Sequence, residues 1–413
     1  MIKKDAIVTI RYSMWNGRGD LLENNQATYT HGSSAISARL QSQLEGLQAG
    51  DSRVIHLKKG EEYADDDFTF EVFIDDVRET RAPLSIHLLS GFLGSGKTTA
   101  IAQACRFLAK KGVATGVITN DQGSRLVDGD LFIHLGIPSG QVTNGCFCCN
   151  YNDLEKAISY LSSHHGPSVL FAESVGSCTD LVATVLKPLL RRHPEWRPTI
   201  SVFVDPQHTG TAFDPAISYI YNKQLEEAPL IIVTKTDLYP AARLDYADKT
   251  ILYQNSFNDE DIGRWLQTLE SQNPDLDSIA IDYDLYGAGE AKLAWLDQQV
   301  EIISRDSTAQ HAAISLIGRV SQTPYPIGHL KFLLDGHTKI SITSTGATDH
   351  PDLRSAEKTT LLINARVQAE PAALSQLLTD AIRATETEDH CTIHTITESC
   401  FQPGYPRPTH RIA

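Results

Sequence analysis

The stretch LSIHLLSGFLGSGKTT, residues 84–99, decides the fold of the larger part of this chain. Its apolar first half predicts a buried strand, and Gly91, Gly96, Lys97 and Thr98 fit the phosphate-loop pattern G-x-x-x-x-G-K-[ST]. In such a loop backbone N–H groups turn towards a phosphate, the lysine reaches the β- and γ-oxygens, and the threonine hydroxyl can ligate Mg²⁺. The predicted nucleotide-binding residues of this loop are Gly91, Gly94, Ser95, Gly96, Lys97, Thr98 and Thr99.

Around this loop, over residues 84–270, short apolar runs alternate with helical patterns. The runs are LSIHLLS, VATGVIT, SVLFAE, ISVFVD and LIIVTK. Continuous apolar strands separated by helices are typical of a parallel sheet that is buried on both faces. We therefore predict an α/β P-loop NTPase domain with a parallel sheet over 84–270.

Two of the predicted strands end in residues that suit nucleotide chemistry. The run SVLFAESVG contains Glu173, whose carboxylate can hold Mg²⁺ or position the attacking water. The run LIIVTKTD contains Thr234, Lys235 and Asp237. A carboxylate at Asp237 can accept both N1–H and the 2-amino group of guanine, which adenine cannot satisfy. These three residues are therefore predicted to bind the guanine of GTP.

The segment VITNDQG adds Asp121 as a further residue on the magnesium side, although an ordinary Asn-Asp turn explains it nearly as well. The predicted magnesium ligands are Thr98, Glu173 and Asp121. The predicted catalytic residues are Lys97 and Glu173.

Three thiols, Cys146, Cys148 and Cys149, fall within four positions of TNGCFCCN. Thiolates suit a soft or borderline divalent metal, so zinc is favoured, with cobalt, nickel and iron open. A closed structural site has four ligands, so this cluster either borrows one or leaves a position open. A redox pair of Cys146 and Cys149 is the alternative. Cys178 lies five residues after Glu173 and could approach the γ-phosphate, but a single cysteine is more often a buried apolar residue.

A second group of potential metal ligands lies near the end of the sequence: His390, Cys391, His394 and Cys400. In a strand, Cys391 and His394 would point to opposite faces. This spacing argues against a second metal site.

Residues 1–80 are predicted to form a small β-rich domain. The strand AIVTIRYSMW is followed by the hairpin signal NGRGD, and SRVIHL and FTFEVFIDDV are further strands. The stretch AISARLQSQLEGL has the apolar spacing of a short amphipathic helix. The polar stretch RETRAP, residues 78–83, is the predicted boundary.

The sequence after residue 270 predicts a connector over 271–310 and a C-terminal α+β domain over 311–400. In the latter, AAISLIGR, KISITST, TTLLINARV and CTIHTIT are interpreted as strands, and PIGHLKFLLDG and PAALSQLLTDAIRA as helices. The order βαββαβ indicates a ferredoxin-like arrangement. Residues 401–413 are predicted to be an extended tail.

Composition narrows the classes of function. The 413 residues are 41% hydrophobic and 21% charged, which excludes global disorder. A net charge of −15 repels phosphate backbones and anionic lipids, so we expect neither nucleic acid nor membrane as a partner. The start lacks the apolar core of a signal peptide, and seven cysteines are too sparse for a disulfide framework. We expect a cytoplasmic protein.

The phosphate loop, the CxCC cluster, ESVG and TKTD occur in the order that is typical of the CobW/HypB/UreG-type GTP-binding metallochaperones. The sequence GCFCC resembles the CobW-type branch most. The resemblance implies GTP hydrolysis coupled to delivery of a metal, or of a metal-bearing cofactor, to a client metalloenzyme or apo-protein. A homodimer is compatible with it. Thr234 stands where the family usually has Asn, and Ser174-Val175-Gly176 replaces its Pro-Thr-Gly turn.

Residues 1–80 resemble an FKBP-type domain, closest to the SlyD branch. The resemblance is carried by Tyr29, His31-Gly32, ISARLQSQLEG, LQAGD and FEVFIDDVRE, while Leu40 stands where many members have Trp. It implies a docking domain. One alternative function is therefore a folding or assembly factor, which holds a client through this domain while GTP times its release and the thiols are structural. Another is a metal store or sensor with a decayed nucleotide site, against which the intact Lys97 and Thr98 argue.

Overall fold

The computed structural model of the chain describes residues 1–61, 66–78, 83–123, 127–210, 213–244, 246, 248–273, 276–343, 346–347 and 353–413. It divides into two compact units, Met1–Ala82 and Pro83–Ala413. The predicted boundary stretch falls largely on residues 79–82, which lie outside the described residues. None of the helices in the described part is long and apolar enough to span a membrane.

The first unit is an antiparallel sheet with one short helix. Its elements are β1 (Ile7–Asn16), β2 (Leu21–Thr30), α1 (Ala38–Leu44), β3 (Ser52–Leu57) and β4 (Phe68–Arg78). The strand order is β2-β1-β4-β3. Ser37 caps α1 by accepting a hydrogen bond from the Leu40 N–H at 3.2 Å, and the apolar face of α1 packs into a core that contains Val8, Leu44 and Ile74. The predicted β-rich domain is thus present, and its FKBP-like assignment stays a prediction.

The second unit begins with a seven-stranded sheet in which all strands are parallel. Its strands are β5 (Leu84–Ser90), β6 (Thr115–Asn120), β7 (Ser139–Val142), β8 (Val169–Glu173), β9 (Trp196–Val204), β10 (Leu230–Val233) and β11 (Thr250–Tyr253). The order is β11-β10-β9-β5-β8-β6-β7, so the carboxyl ends of β5, β8 and β6 are neighbours. The predicted parallel α/β sheet is confirmed.

Helices connect these strands and cover the sheet. They are α2 (Lys97–Lys110), α3 (Val127–His134), α4 (Tyr151–His165), α5 (Lys187–Arg192), α6 (Pro215–Glu227) and α7 (Asp259–Glu270), and a π-helical turn, Val182–Leu186, leads into α5. Buried apolar side chains of the helices and strands form the core on both sides of the sheet. The continuous apolar runs of the strands follow from this double coverage.

A second, antiparallel sheet follows in the same unit. Its elements, after α8 (Tyr283–Glu290), are β12 (Ala294–Ile303), α9 (Ala309–Ser321), β13 (Ile327–Leu334), β14 (Thr338–Thr343), β15 (Gly346–Ala347), β16 (Lys358–Val367), α10 (Pro371–Glu388) and β17 (Thr392–Phe401). The strand order is β15-β14-β13-β16-β12-β17, and α9 and α10 pack on this sheet. The ferredoxin-like assignment of this α+β part stays a prediction.

Three interpretations of this region were wrong. AAISLIGR belongs to helix α9, and PIGHLKFLLDG forms strand β13. Both stretches are apolar with few polar positions, and such runs fit a buried helix and a doubly buried strand equally well. The expected connector 271–310 contains α8 and β12, a strand inside the sheet whose polar Asp297 and Gln298 obscured the strand pattern.

Candidate functional site

The phosphate loop lines a cavity of about 490 Å³ at the carboxyl edge of the parallel sheet. Gly91, Gly94 and Gly96 have φ angles of 127°, 75° and 89°. A Cβ atom on Gly91 would lie 2.2 Å from the backbone oxygen of Phe203, so a larger residue cannot occupy this position. The loop therefore turns as the phosphate-loop pattern predicts, with α2 beginning at Lys97.

Lys97 is buried inside this loop. Its Nζ donates hydrogen bonds to the carbonyl oxygens of Gly91 at 2.5 Å and Phe92 at 3.2 Å. Burial lowers the pKa of Lys97 to about 8. The ammonium group is thus held by two neutral acceptors in a site that favours an incoming anion.

Thr98 and Glu173 form the pair that suits a magnesium ion. The Thr98 hydroxyl donates to Oε1 of Glu173 at 2.9 Å. Oε2 of Glu173 is buried and has no hydrogen-bond partner among the residues that the structure describes. Burial raises the pKa of this carboxyl. A hydroxyl beside an unpaired carboxylate oxygen is a donor set that fits Mg²⁺.

Asp121 also lines the cavity, but its carboxylate is engaged elsewhere. Oδ1 accepts hydrogen bonds from Nη2 of Arg366 at 2.9 Å and from the Gly123 N–H at 2.9 Å. The buried Arg366 guanidinium also bonds Asp297 at 2.7 Å and lies 4.2 Å from the ring centroid of Trp295. Asp121 therefore ties the two sheets of this unit together, which its predicted magnesium role did not anticipate.

The predicted guanine-binding residues border the same cavity. The Thr234 hydroxyl donates to the carbonyl oxygen of Ser95 at 2.9 Å, which fastens the end of β10 to the phosphate loop. Nζ of Lys235 donates to the buried Asp205 at 2.5 Å. Asp237 is exposed to the cavity, where a base can reach its carboxylate.

A group of cavity residues that was not predicted from the sequence comes mainly from the antiparallel sheet. His329 and Lys331 of β13 and Lys339 of β14 line the cavity together with Asp128 of α3. Asp128 accepts a hydrogen bond from Lys331 and another from Lys339 at 2.7 Å. Although burial opposes it, the two ammonium groups hold the pKa of Asp128 well below its usual range. The available signal was the presence of two polar residues, His329 and Lys331, in the apolar stretch IGHLKFLL, and the helical interpretation of that stretch obscured it.

The three clustered thiols lie close together in the loop after β7. The Sγ atoms of Cys146 and Cys148 are 2.7 Å apart, those of Cys146 and Cys149 3.3 Å, and those of Cys148 and Cys149 3.8 Å. Sγ of Cys178 lies 3.8 Å from that of Cys148. All seven cysteines carry free thiols. Hydrogen bonds from Cys146 and Cys148 lower the pKa of Cys178 to about 6.

One side chain joins this thiol loop to the nucleotide cavity. Asn120, at the end of β6, lines the cavity. Its Nδ2 donates to the carbonyl oxygens of Val142 at 2.9 Å and Gly145 at 2.7 Å, and its Oδ1 accepts from the Phe147 N–H at 2.8 Å. A shift of Asn120 would therefore move the backbone on both sides of Cys146.

The C-terminal segment contacts the thiol loop through Arg407 and Thr409. The Arg407 N–H donates to Sγ of Cys149 at 3.2 Å, and the Thr409 N–H donates to the carbonyl oxygen of Cys148 at 2.8 Å. Nε of Arg411 bonds the buried Asp180 at 2.8 Å. The predicted tail contains no helix or strand after Phe401 but is held in place by these contacts.

The described residues contain one group of three or more potential metal ligands, namely Cys146, Cys148 and Cys149. In the second group, against which the sequence argued, Cys391 is buried while His394 is exposed, as the strand alternation predicted. Cys391 bonds the Thr385 carbonyl oxygen instead. The thiol loop is therefore the candidate metal centre in the part of the chain that the structure describes.

Comparison with known proteins identifies the family of the parallel-sheet part. Residues 85–259 match the family described as CobW/HypB/UreG, nucleotide-binding domain, which confirms the predicted family for this segment. The chain is 34% identical over 101 residues to the zinc chaperone YjiA of Escherichia coli, covering 24% of this chain and 31% of that protein. It is 26% identical over 196 residues to the zinc chaperone CobW of a Sinorhizobium species, covering 40% and 55%.

Among solved structures, the Zn(II)-bound YjiA GTPase from E. coli aligns at 15% identity and a TM-score of 0.32, covering 73% of this chain and 99% of that chain. The chain spans between about a third and about half of the length of the curated relatives it matches.

Proposed function

From the premise that residues 85–259 form a nucleotide-binding domain of the CobW/HypB/UreG family, we propose that this protein is a Mg²⁺-dependent GTPase that carries a divalent metal. The metal is held by Cys146, Cys148 and Cys149 and is delivered to a client metalloprotein. Zinc is favoured, because the donors are thiolates and the curated relatives are zinc chaperones. The observation that carries the proposal is the Asn120 side chain, which lines the nucleotide cavity and is bonded to the thiol loop.

At the nucleotide site, different groups of the chain bind the phosphates, the magnesium ion and the base. The phosphate-loop N–H groups and Lys97 bind the phosphates, and Lys97 exchanges its two carbonyl partners for phosphate oxygens. Thr98 and Glu173 would hold Mg²⁺, which supplies neutralisation of the phosphate charge. Asp237 selects guanine through its exposed carboxylate. Asp121 is the weaker magnesium candidate, because Arg366 occupies its carboxylate.

Nucleotide state is proposed to control metal release through the carboxyl edge of the sheet. Loss of the γ-phosphate changes the contacts of groups that line the cavity, and segments ordered by such contacts rearrange on hydrolysis. Asn120 transmits that change to the backbone around Cys146. A thiol loop that is rearranged binds metal more weakly, and the metal passes to the client.

The client is proposed to dock on the N-terminal unit. This unit is compact and has a hydrophobic core of its own, so it can serve as a separate binding domain. Seven free thiols suit a reducing compartment, and we propose that the protein works in the cytoplasm.

The test measures zinc affinity by chelator competition, once with Mg²⁺ and a non-hydrolysable GTP analogue and once with Mg²⁺ and GDP. We expect about a tenfold difference, which corresponds to about 1.4 kcal/mol of coupling. Cys148→Ser should abolish tight binding, whereas Cys105→Ser, a buried thiol in a different core cluster, should not. Equal affinities in the two nucleotide states would refute the coupling, and zinc binding that survives Cys148→Ser would refute the carrier site.

A further inference from the structure

We propose that Cys178 is the fourth sulfur ligand of the carried metal, and that movement of the segment Gly176–Cys178 opens this four-thiolate site. The inference rests on the proposed function, because it concerns the same thiol loop. The three clustered thiols supply only three of the four ligands of a closed zinc site, so a fourth ligand must come from elsewhere in the chain.

Two of the distances between the four thiols match a tetrahedral site, and the other sulfur atoms must shift to close it around a metal. With zinc–sulfur bonds of about 2.3 Å, the sulfur atoms at the corners of a tetrahedron are about 3.8 Å apart. The Sγ atoms of Cys148 and Cys178 are 3.8 Å apart, as are those of Cys148 and Cys149. Cys178 is thus as well placed relative to Cys148 as its neighbour in sequence is. Metal binding then requires Cys146 to move away from Cys148 by about 1 Å, from the 2.7 Å observed.

Cys178 lies beside the buried member of the thiol cluster, Cys148. Cys148 and Cys178 are 1% and 0% exposed, whereas Cys149 is the partly exposed member of the group. The three remaining cysteines have other surroundings, because Cys105 lies in a separate core cluster and Cys391 and Cys400 bond backbone carbonyl groups.

Groups around the thiols can also stabilise the negative charge of a four-thiolate site. Four thiolates on a divalent ion leave a net charge of −2. The Arg407 N–H already donates to Sγ of Cys149 at 3.2 Å, and α4 begins at Tyr151, two residues after Cys149. A helix N-terminus and an N–H donor both stabilise negative charge.

Cys178 lies on the segment that contacts the phosphate loop. Glu173 ends β8 beside Thr98, and Gly176 lines the nucleotide cavity. A Cβ atom on Gly176 would lie 2.8 Å from the backbone nitrogen of Leu93, so this backbone packs directly on the phosphate loop. A shift of Glu173 or of the loop therefore moves Gly176, and Cys178 follows two residues later.

In the present arrangement the segment is held firmly. Nε2 of Gln224 donates to the carbonyl oxygens of Gly176 at 3.0 Å and Cys178 at 2.8 Å. The site then has two states: four ligands when Cys178 is in contact with Cys148, and three when loss of the γ-phosphate displaces it. The loss of this ligand weakens metal binding in addition to the rearrangement of the thiol loop that Asn120 transmits.

The first experiment counts sulfur ligands in the full-length protein loaded with zinc, by X-ray absorption spectroscopy. With Mg²⁺ and a non-hydrolysable GTP analogue bound in every sample, we expect four sulfur atoms at about 2.3 Å in the unmodified chain and three sulfur atoms with one lighter ligand in Cys178→Ser. Three sulfur atoms in the unmodified chain would overturn the inference and leave the proposed three-thiol carrier intact. Because this count needs no variant, it decides the question even where Cys178→Ser fails to fold.

The second experiment measures zinc affinity by chelator competition in the unmodified chain, Cys178→Ser and the control Cys105→Ser. Cys178→Ser should weaken zinc binding by at least about tenfold and should make the difference between the GTP-analogue and GDP states smaller than in the unmodified chain. Cys105→Ser should change neither. An unchanged affinity and an unchanged nucleotide effect in Cys178→Ser would overturn the inference. Zinc binding that also survives Cys148→Ser would instead refute the proposed function.

Discussion

Substitution of Glu227 by Gln should make the stability of the second unit less dependent on pH. Glu227 ends α6 and is 4% exposed. Its carboxylate accepts hydrogen bonds from the Thr179 hydroxyl and from the Val182 N–H, both at 3.3 Å, so it anchors the chain just after Cys178. Burial raises the pKa of Glu227 to about 8 from the ordinary 4.5.

The sign of the effect follows from proton linkage. Between pH 4.5 and pH 8 the folded protein keeps a proton on Glu227 that the unfolded chain releases, so the free energy of unfolding falls as the pH rises. Each pH unit in this interval costs about 1.4 kcal/mol. The side chain is buried, so the loss from pH 5 to pH 8 amounts to roughly 3 to 4 kcal/mol. A glutamine keeps an acceptor oxygen and carries no charge, and Glu227→Gln should not suffer this loss.

The assay is urea unfolding at pH 5 and pH 8, followed by the fluorescence of the buried Trp265 and Trp295 in this unit. Glu227→Gln should unfold like the unmodified chain at pH 5 and should be more stable than it at pH 8. Glu226→Gln is the matched control, because Glu226 is half exposed and paired with Lys223, and its effect should stay within about 0.5 kcal/mol at both pH values. A stability difference for Glu227→Gln that is equal at pH 5 and pH 8 would refute the reasoning.

Three further predictions concern the nucleotide cavity. Gly176→Ala should push the backbone of Leu93 aside at a cost of about 1–3 kcal/mol and weaken GDP binding in a fluorescence titration, whereas Gly318→Ala, in open space on α9, should raise the thermal stability. Normal GDP binding by Gly176→Ala would contradict the packing argument. Asp237→Ala should weaken GDP binding by at least about tenfold and leave ADP binding unchanged, because the proposed role of this cavity-lining carboxylate is to bond guanine, and adenine does not supply the same donors. Lys331→Ala should weaken binding of a GTP analogue by about tenfold, as calorimetry would show, because it removes a partly buried ammonium group from the cavity. Unchanged affinity would mean that Lys331 pairs with Asp128 and does not contact the nucleotide.

Much of the nucleotide and thiol sites could be predicted, because their signals are local in sequence. The phosphate loop of residues 91–99 needs a strand before it and a helix after it, and the structure has both. Glu173 follows from the end of a buried strand, and its contact with Thr98 follows from the pairing of β5 with β8. Cys146, Cys148 and Cys149 are close in space because they are close in sequence.

The antiparallel sheet was harder, because its signals are ambiguous. The stretch IGHLKFLL is buried on both faces of β13, which removes the alternation that identifies a strand. Asp297 lies inside β12 only because Arg366 and Asn364 neutralise and bond it there. A buried polar residue of this kind cannot be distinguished from a polar connector until its partners are known.

The sequence by itself determined the parallel sheet, the phosphate loop and the three clustered thiols, since each depends on the spacing of neighbouring residues. Only the tertiary structure decided which distant groups join them. Cys178 meets Cys148 across 30 positions, and Lys331 meets Asp128 across 203. These long-range contacts depend on how whole helices and strands pack against one another. A local sequence pattern does not specify the order of the strands in a sheet.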